Sequence, residues 1–207
     1  MDMVEFKFKH SSCVAVGTFN IYIVQPKLLA EMGVFEAEQP MLVSGDLTQP
    51  GIRFEIANSK WVVRPDRLSV ESSAPNVNCG EFVERTLAAL CWTPVMGVGI
   101  NAVFTAPESA EQELPTCMQL PQHSDATQRS THLSIPHDES VLNIQLSRTE
   151  KQVELSINVH SDFSQKKDTP KQLNESVRAI CGSFLELRRS VIDVAGELLK
   201  AEFIYDQ

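Results

Sequence analysis

The feature that most constrains this chain is a run of apolar residues near its C-terminus. Leu173, Val177, Ile180, Phe184, Leu187, Val191, Val194 and Leu198 recur at unbroken spacings of four and three, the pattern of one helix face. Cys181, Leu185, Ile192, Ala195 and Leu199 form a second apolar row beside the first, while Glu186, Arg189, Asp193, Glu197 and Lys200 gather opposite. The arc exceeds the roughly 100° stripe that one packing surface requires, so the helix is expected to touch two surfaces. A continuous helix from about Pro170 to Phe203 is about 50 Å long, whereas a compact chain of this length is about 43 Å across. It is therefore expected to span the molecule or project from it.

Upstream, the apolar period changes from helical to two. Val14 and Val16 alternate, then Phe19, Ile21 and Ile23 alternate in the opposite phase, which predicts a strand from 14 to 24 bulged at Gly17-Thr18. Pro26 in a first turn and Gly33 past a last one frame a short helix. Ile52, Phe54 and Ile56, then residues 60–64, then Leu68 and Val70 read as an antiparallel meander, with turns at Asn58-Ser59 and Pro65-Asp66. Asn78 and Glu81 have the spacing of a capping box, followed by Phe82, Val83, Leu87, Leu90 and Cys91 at helical intervals up to Thr93-Pro94. Val95 to Phe104 returns as a strand. Leu142, Ile144 and Leu146 pair with Val153, Leu155, Ile157 and Val159 as a β-hairpin.

These elements predict an α+β fold, with antiparallel strands packed against a mid-chain helix and a long C-terminal helix. Strands in hairpins followed by a helix occur in 52–92 and again in 131–203, leaving open two similar halves. Residues 105–130 hold Pro107, Pro115 and Pro121 among polar residues. The division expected is an N-terminal half (1–105), a long polar loop or linker (106–130) and a hairpin with the C-terminal helix (131–207), the two halves sharing a core.

Composition narrows the function classes. With 43% hydrophobic and 22% charged residues the chain is an ordinary globular one, and its net charge of −9 disfavours nucleic acid and anionic lipid as partners. No apolar stretch is long enough to span a membrane, and Met1-Asp2-Met3-Val4-Glu5 carries acid where a secretory signal carries base. A cytoplasmic location is expected. The five cysteines are scattered without a C-x-x-C pair, so reduced buried thiols are expected.

Few residues suggest chemistry. Cys117, His123, His132 and His137 are four ligand types within a short span, the only metal site the sequence offers, although their spacing matches no compact zinc finger. His10 and Cys13 have opposite parity on a strand and so do not form a nucleophile and base pair. Gly97-Val98-Gly99 lacks the remaining residues of a phosphate-binding loop, and is expected to let a large side chain such as Trp61 or Trp92 cross the sheet. Lys166, Lys167, Lys171, Arg178, Arg188 and Arg189 form a basic run that is read as a solvated helix entrance.

Ile52-Arg53-Phe54, the stretch Val62-Val63-Arg64-Pro65-Asp66-Arg67-Leu68, the helix at 81–91 and the strand Gly97 to Phe104 together resemble a sporadically distributed family of uncharacterised bacterial proteins. The second half is similar through Leu155-Ser156-Ile157-Asn158-Val159 and a helical region ending at Leu199 to Phe203. The resemblance covers about two thirds of the chain and implies an α+β protein of bacterial or phage origin, with no activity to transfer.

The doubly apolar terminal helix therefore sets the functional expectation. It predicts a non-enzymatic interaction subunit without a cofactor, self-associating or an adaptor, that meets a protein partner or a second copy through Leu185, Ile192 and Leu199. The alternatives are a ligand- or peptide-sensing domain with residues 105–130 as a lid, and a loop-borne metal-dependent enzyme.

Overall fold

One extra residue determines how the first strand faces the core. In β1 (Val4–Gly17), Val4, Phe6 and Phe8 point inward. Lys9 then bulges out between the pairs Phe8↔Phe104 and His10↔Val103, so that the inward residues become Ser11, Cys13 and Ala15. The strand expected at 14–24 is thus shifted: β1 ends at Gly17, and residues 21–24 are turns. The computed structural model describes residues 3–36, 42–45 (backbone only), 51–119, 130–137, 139–148 and 152–205.

The remaining elements are α1 (Pro26–Glu31), β2 (Leu42–Gly45), β3 (Ile52–Ile56), β4 (Ser59–Arg64), β5 (Arg67–Ser72), α2 (Cys79–Ala89), β6 (Val95–Pro107), β7 (Ser130–His137), β8 (Ser140–Arg148), β9 (Gln152–Asp162), α3 (Pro170–Gly182), α4 (Phe184–Leu199) and β10 (Ala201–Ile204). The strands form one sheet in the order β2-β3-β4-β5-β1-β6-β9-β8-β7, antiparallel throughout, and β10 adds to β1 in parallel. The fold is α+β. Its plan repeats: β1 leads to a meander whose last strand, β5, returns beside it before α2, and β6 leads to β7-β8-β9 in the same way before α3. Both helices are capped at their third backbone N–H, Glu81 donating to Asn78 and Gln172 to Thr169.

α2 and α3 lie against each other on the inner face of the sheet, and a single buried cluster runs through both halves. Contact between the helices is backbone-close at Gly80, where a Cβ would stand 2.2 Å from the Cys181 carbonyl oxygen. The outer face carries one in-register polar row: Asn101 donates to Ser12 (3.0 Å), Asn158 to Asn101 (2.6 Å), Asn143 to Asn158 (3.3 Å) and Ser134 to Asn143 (2.7 Å). This row bonds to itself and so reads as a structural seam.

Three expectations are corrected. The single long terminal helix is two helices, broken at Ser183 (φ −91°, ψ 16°), and the segment ending at Phe203 is strand β10. The break lets α3 stay on α2 while α4 turns across β6, β9 and β10. Residues 105–119 are not structureless, because β6 runs to Pro107 and two 3₁₀ turns (Glu108–Glu113 and Thr116–Met118) follow, burying Ala110, Leu114 and Met118. Buried Glu111 is held by Arg148, whose Nε and Nη2 donate to Oε2 at 3.0 and 2.6 Å; residues 120–129 lie outside the described ones. Finally, the side chains over Gly97 and Gly99 are His160 and Asn158, whereas Trp61 stacks in the core on Phe54 and Trp92 is exposed.

Candidate functional site

The turn at Ser183 and the left-handed cap at Lys200 (φ 53°) bring α4 back against β10, and a groove of about 1150 Å³ opens between them. Its wall on α4 includes Leu185, Arg188, Ile192 and Glu197, and its other wall includes Phe203 and Tyr205. Pro75 and Asn76, which follow β5, and Met3, which precedes β1, also line it. Met3 (57% exposed), Leu185 (38%) and Tyr205 (37%) leave apolar surface in one concave place. Among the described residues β10 pairs with β1 alone, so its other edge offers unused backbone groups beside the groove.

Arg188 is the unusual side chain of this groove. It is 9% exposed, and no carboxylate among the described residues pairs with it. Its Nη1 donates to Ser11 Oγ (2.9 Å) and its Nη2 to the Pro75 carbonyl (2.7 Å), while Nε has no partner among the described residues. The rings of Phe184, Phe8 and Tyr205 stand 5.6, 5.9 and 6.0 Å from the guanidinium, an aromatic surround that tolerates a cation without an anion. Burial lowers the Arg188 pKa and raises that of Tyr205. The charge therefore rests on two hydrogen bonds and ring faces, with guanidinium donors left over.

The structure separates the interaction residues proposed from sequence. Leu185 is exposed in the groove, Ile192 lines it from a largely buried position (5% exposed), and Leu199 is core (1%) and does not line it. Arg188 was grouped with a solvated basic run, but its spacing gives a different answer: Val177, Cys181, Phe184, Arg188, Val191 and Ala195 continue the four-three alternation, and the other five are buried. The rest of the run is dispersed, with Arg178 on Glu84 (2.7 Å) and Lys166 near Glu139 (3.5 Å).

The other candidates do not assemble. His132 and His137 sit at opposite ends and on opposite faces of β7, Cys117 is exposed, and His123 lies outside the described residues. Among the described residues no group of three potential ligands could hold a metal ion. Cys13 Sγ faces Cys181 Sγ at 3.7 Å in the core, away from His10. Burial pushes the Cys79 thiol up to about 12 and also raises Cys13, where the Cys181 hydrogen bond is the larger cause. Ellman's reagent at pH 8 should accordingly label Cys117 rapidly and half-buried Cys91 more slowly, and reach Cys13, Cys79 and Cys181 only after unfolding. Fast labelling of a third thiol would contradict the packing of α2 and α3.

No family model matches the chain, and no curated protein matches it. Among solved structures it is similar to that of S. pombe Pct1 RNA triphosphatase in complex with the Spt5 CTD, at a TM-score of 0.19 and 11% identity over 95% of this chain. The chain spans 58% of that protein's chain, and a likeness of this size carries no argument about function. No helix among the described residues is long and apolar enough to cross a membrane.

Proposed function

We propose that the chain is a non-enzymatic protein-interaction subunit, an adaptor in a multi-protein assembly whose bacterial origin is what the family resemblance implies, and that it meets its partner in the groove between α4 and β10. The observation that carries this reading is the placement of Leu185, Ile192, Phe203 and Tyr205 around one concavity beside an edge of β10 that pairs with no strand among the described residues. An open strand edge next to apolar side chains is the arrangement used when a partner adds an extended segment to a sheet. The occupant proposed is therefore such a segment of a different protein.

Leu185→Glu tests the reading, because Leu185 is exposed and its replacement should change stability by no more than about 0.5 kcal/mol. Tagged wild type purified at native expression level is expected to carry a second protein in stoichiometric amount, measured by light scattering and mass, and the variant to carry none while melting at the same temperature. Wild type that runs as a single chain or only with itself, or a variant that keeps the partner, would overturn it. Ile192, the position sequence spacing suggests for this test, is a poorer choice because a charge there disturbs the core.

A further inference from the structure

The charges along the groove are ordered. Arg188 and Arg189 stand toward the N-terminal end of α4, and Asp193 and Glu197 toward its C-terminal end with Glu202 across from them on β10. From Arg188 to Glu197 is nine helical residues, about 13 Å at the α-helical rise. Four residues of an extended strand also cover about 13 Å, and successive side chains on one face are two residues apart. Ile192 lies between the two ends, about 6 Å from Arg188 along the helix axis.

We infer that the segment bound in the groove has the pattern acidic-x-apolar-x-basic, with its Asp or Glu side chain at the Arg188 end, its apolar side chain over Ile192, its basic side chain against Asp193 and Glu197, and the residue preceding the acidic one over Leu185. This rests on the groove being the contact surface. What singles out a carboxylate is the cationic end of the groove: Arg188, a nine-tenths buried cation with no anion among the described residues, lines it beside the exposed Arg189, and a carboxylate there is held by charge-assisted hydrogen bonds. The acidic far end excludes a wholly acidic segment by like-charge repulsion and selects a base there. The backbone of the segment extends the sheet along Ala201–Ile204.

The probe is a peptide, Thr-Glu-Thr-Leu-Thr-Arg-Thr, labelled at its N-terminus with an uncharged boron-dipyrromethene dye and amidated at its C-terminus, so that its Glu supplies its only carboxylate. Fluorescence anisotropy should show saturable binding to the wild-type protein, weakened about 30-fold when the peptide Glu becomes Gln, the size expected for loss of a buried charge pair. Glu197→Lys at the exposed end should weaken the same peptide and favour one with Glu in place of Arg, a swap that does not depend on altering the buried Arg188. Absence of saturable binding at millimolar peptide, equal binding of the Gln peptide, or recovery of its affinity by a free C-terminal carboxylate would overturn the inference. If that happens while Leu185→Glu still loses the partner, the groove reading stands and only the assigned segment falls; if Leu185→Glu keeps the partner, both fall.

Discussion

Gly80→Ala should destabilise the protein by about 3 kcal/mol, the upper range for an added methyl in a packed core. The sign is the informative part, since alanine in place of glycine inside a helix ordinarily stabilises by about 1 kcal/mol. At Gly80 the new Cβ would stand 2.2 Å from the Cys181 carbonyl oxygen and 2.3 Å from Phe184 Cβ. Neither is the free end of a flexible side chain, so α2 must move away from α3 and the start of α4. Gly182 supplies the control: a Cβ there meets no heavy atom within 4 Å, and Gly182→Ala should be neutral or stabilising. Urea midpoints of the two variants measure the contrast. A Gly80→Ala protein more stable than wild type would show that the helices are not in backbone contact.

The second large effect lies at the end of β8. Arg148→Met should cost about 3 kcal/mol, because it leaves the Glu111 carboxylate, 3% exposed, without its guanidinium. Much of that loss should return in the double variant Arg148→Met with Glu111→Leu, where the buried charge is gone too and two apolar side chains replace the pair. The double-mutant cycle separates the pair from the packing of its neighbours. The single variant should also be cleaved faster by protease within 108–119, since Arg148 reaches Glu111 and Glu108 from β8 and so ties this segment to the sheet. An unchanged cleavage rate and an unchanged midpoint would mean that Ala110, Leu114 and Met118 hold the segment unaided.

The parts of the fold legible in the sequence are those whose pattern is local. The meander β3-β4-β5, the hairpin β8-β9 and the Asn78 cap follow from alternation and turn chemistry within a dozen residues each. The bulge at Lys9 hid the first half of β1, because Val4, Phe6 and Phe8 alternate in one phase and Ser11, Cys13 and Ala15 in the other, and Ser11 is a polar residue in the buried set. β7 was hidden by half-burial: only Leu133 and Ile135 mark its apolar side. The terminal helix looked continuous because a break at one residue leaves heptad spacing intact across it, and the Gly182-Ser183 step that permits the turn is unremarkable by itself. For the groove, Leu185 is visible as surplus apolar surface. Arg188 is not, because a charged side chain ordinarily marks an exposed position, and here the four-three spacing, which places it in the buried row, overrides that rule. The aromatic rings that make this possible come from β1, α4 and the residue after β10, which no local pattern connects.

The groove reading is tested most directly by a photo-crosslinking amino acid placed at Leu185 in the full chain, with Val141 as the matched position. Both side chains are about equally exposed, but Val141 lies on β8, away from the groove. Irradiation in cells is expected to join the Leu185 probe to one partner protein of defined mass, through a peptide that carries an acidic and a basic residue four apart, while the Val141 probe gives no such product. The same partner captured from both positions, or no discrete product from Leu185, would contradict the groove reading.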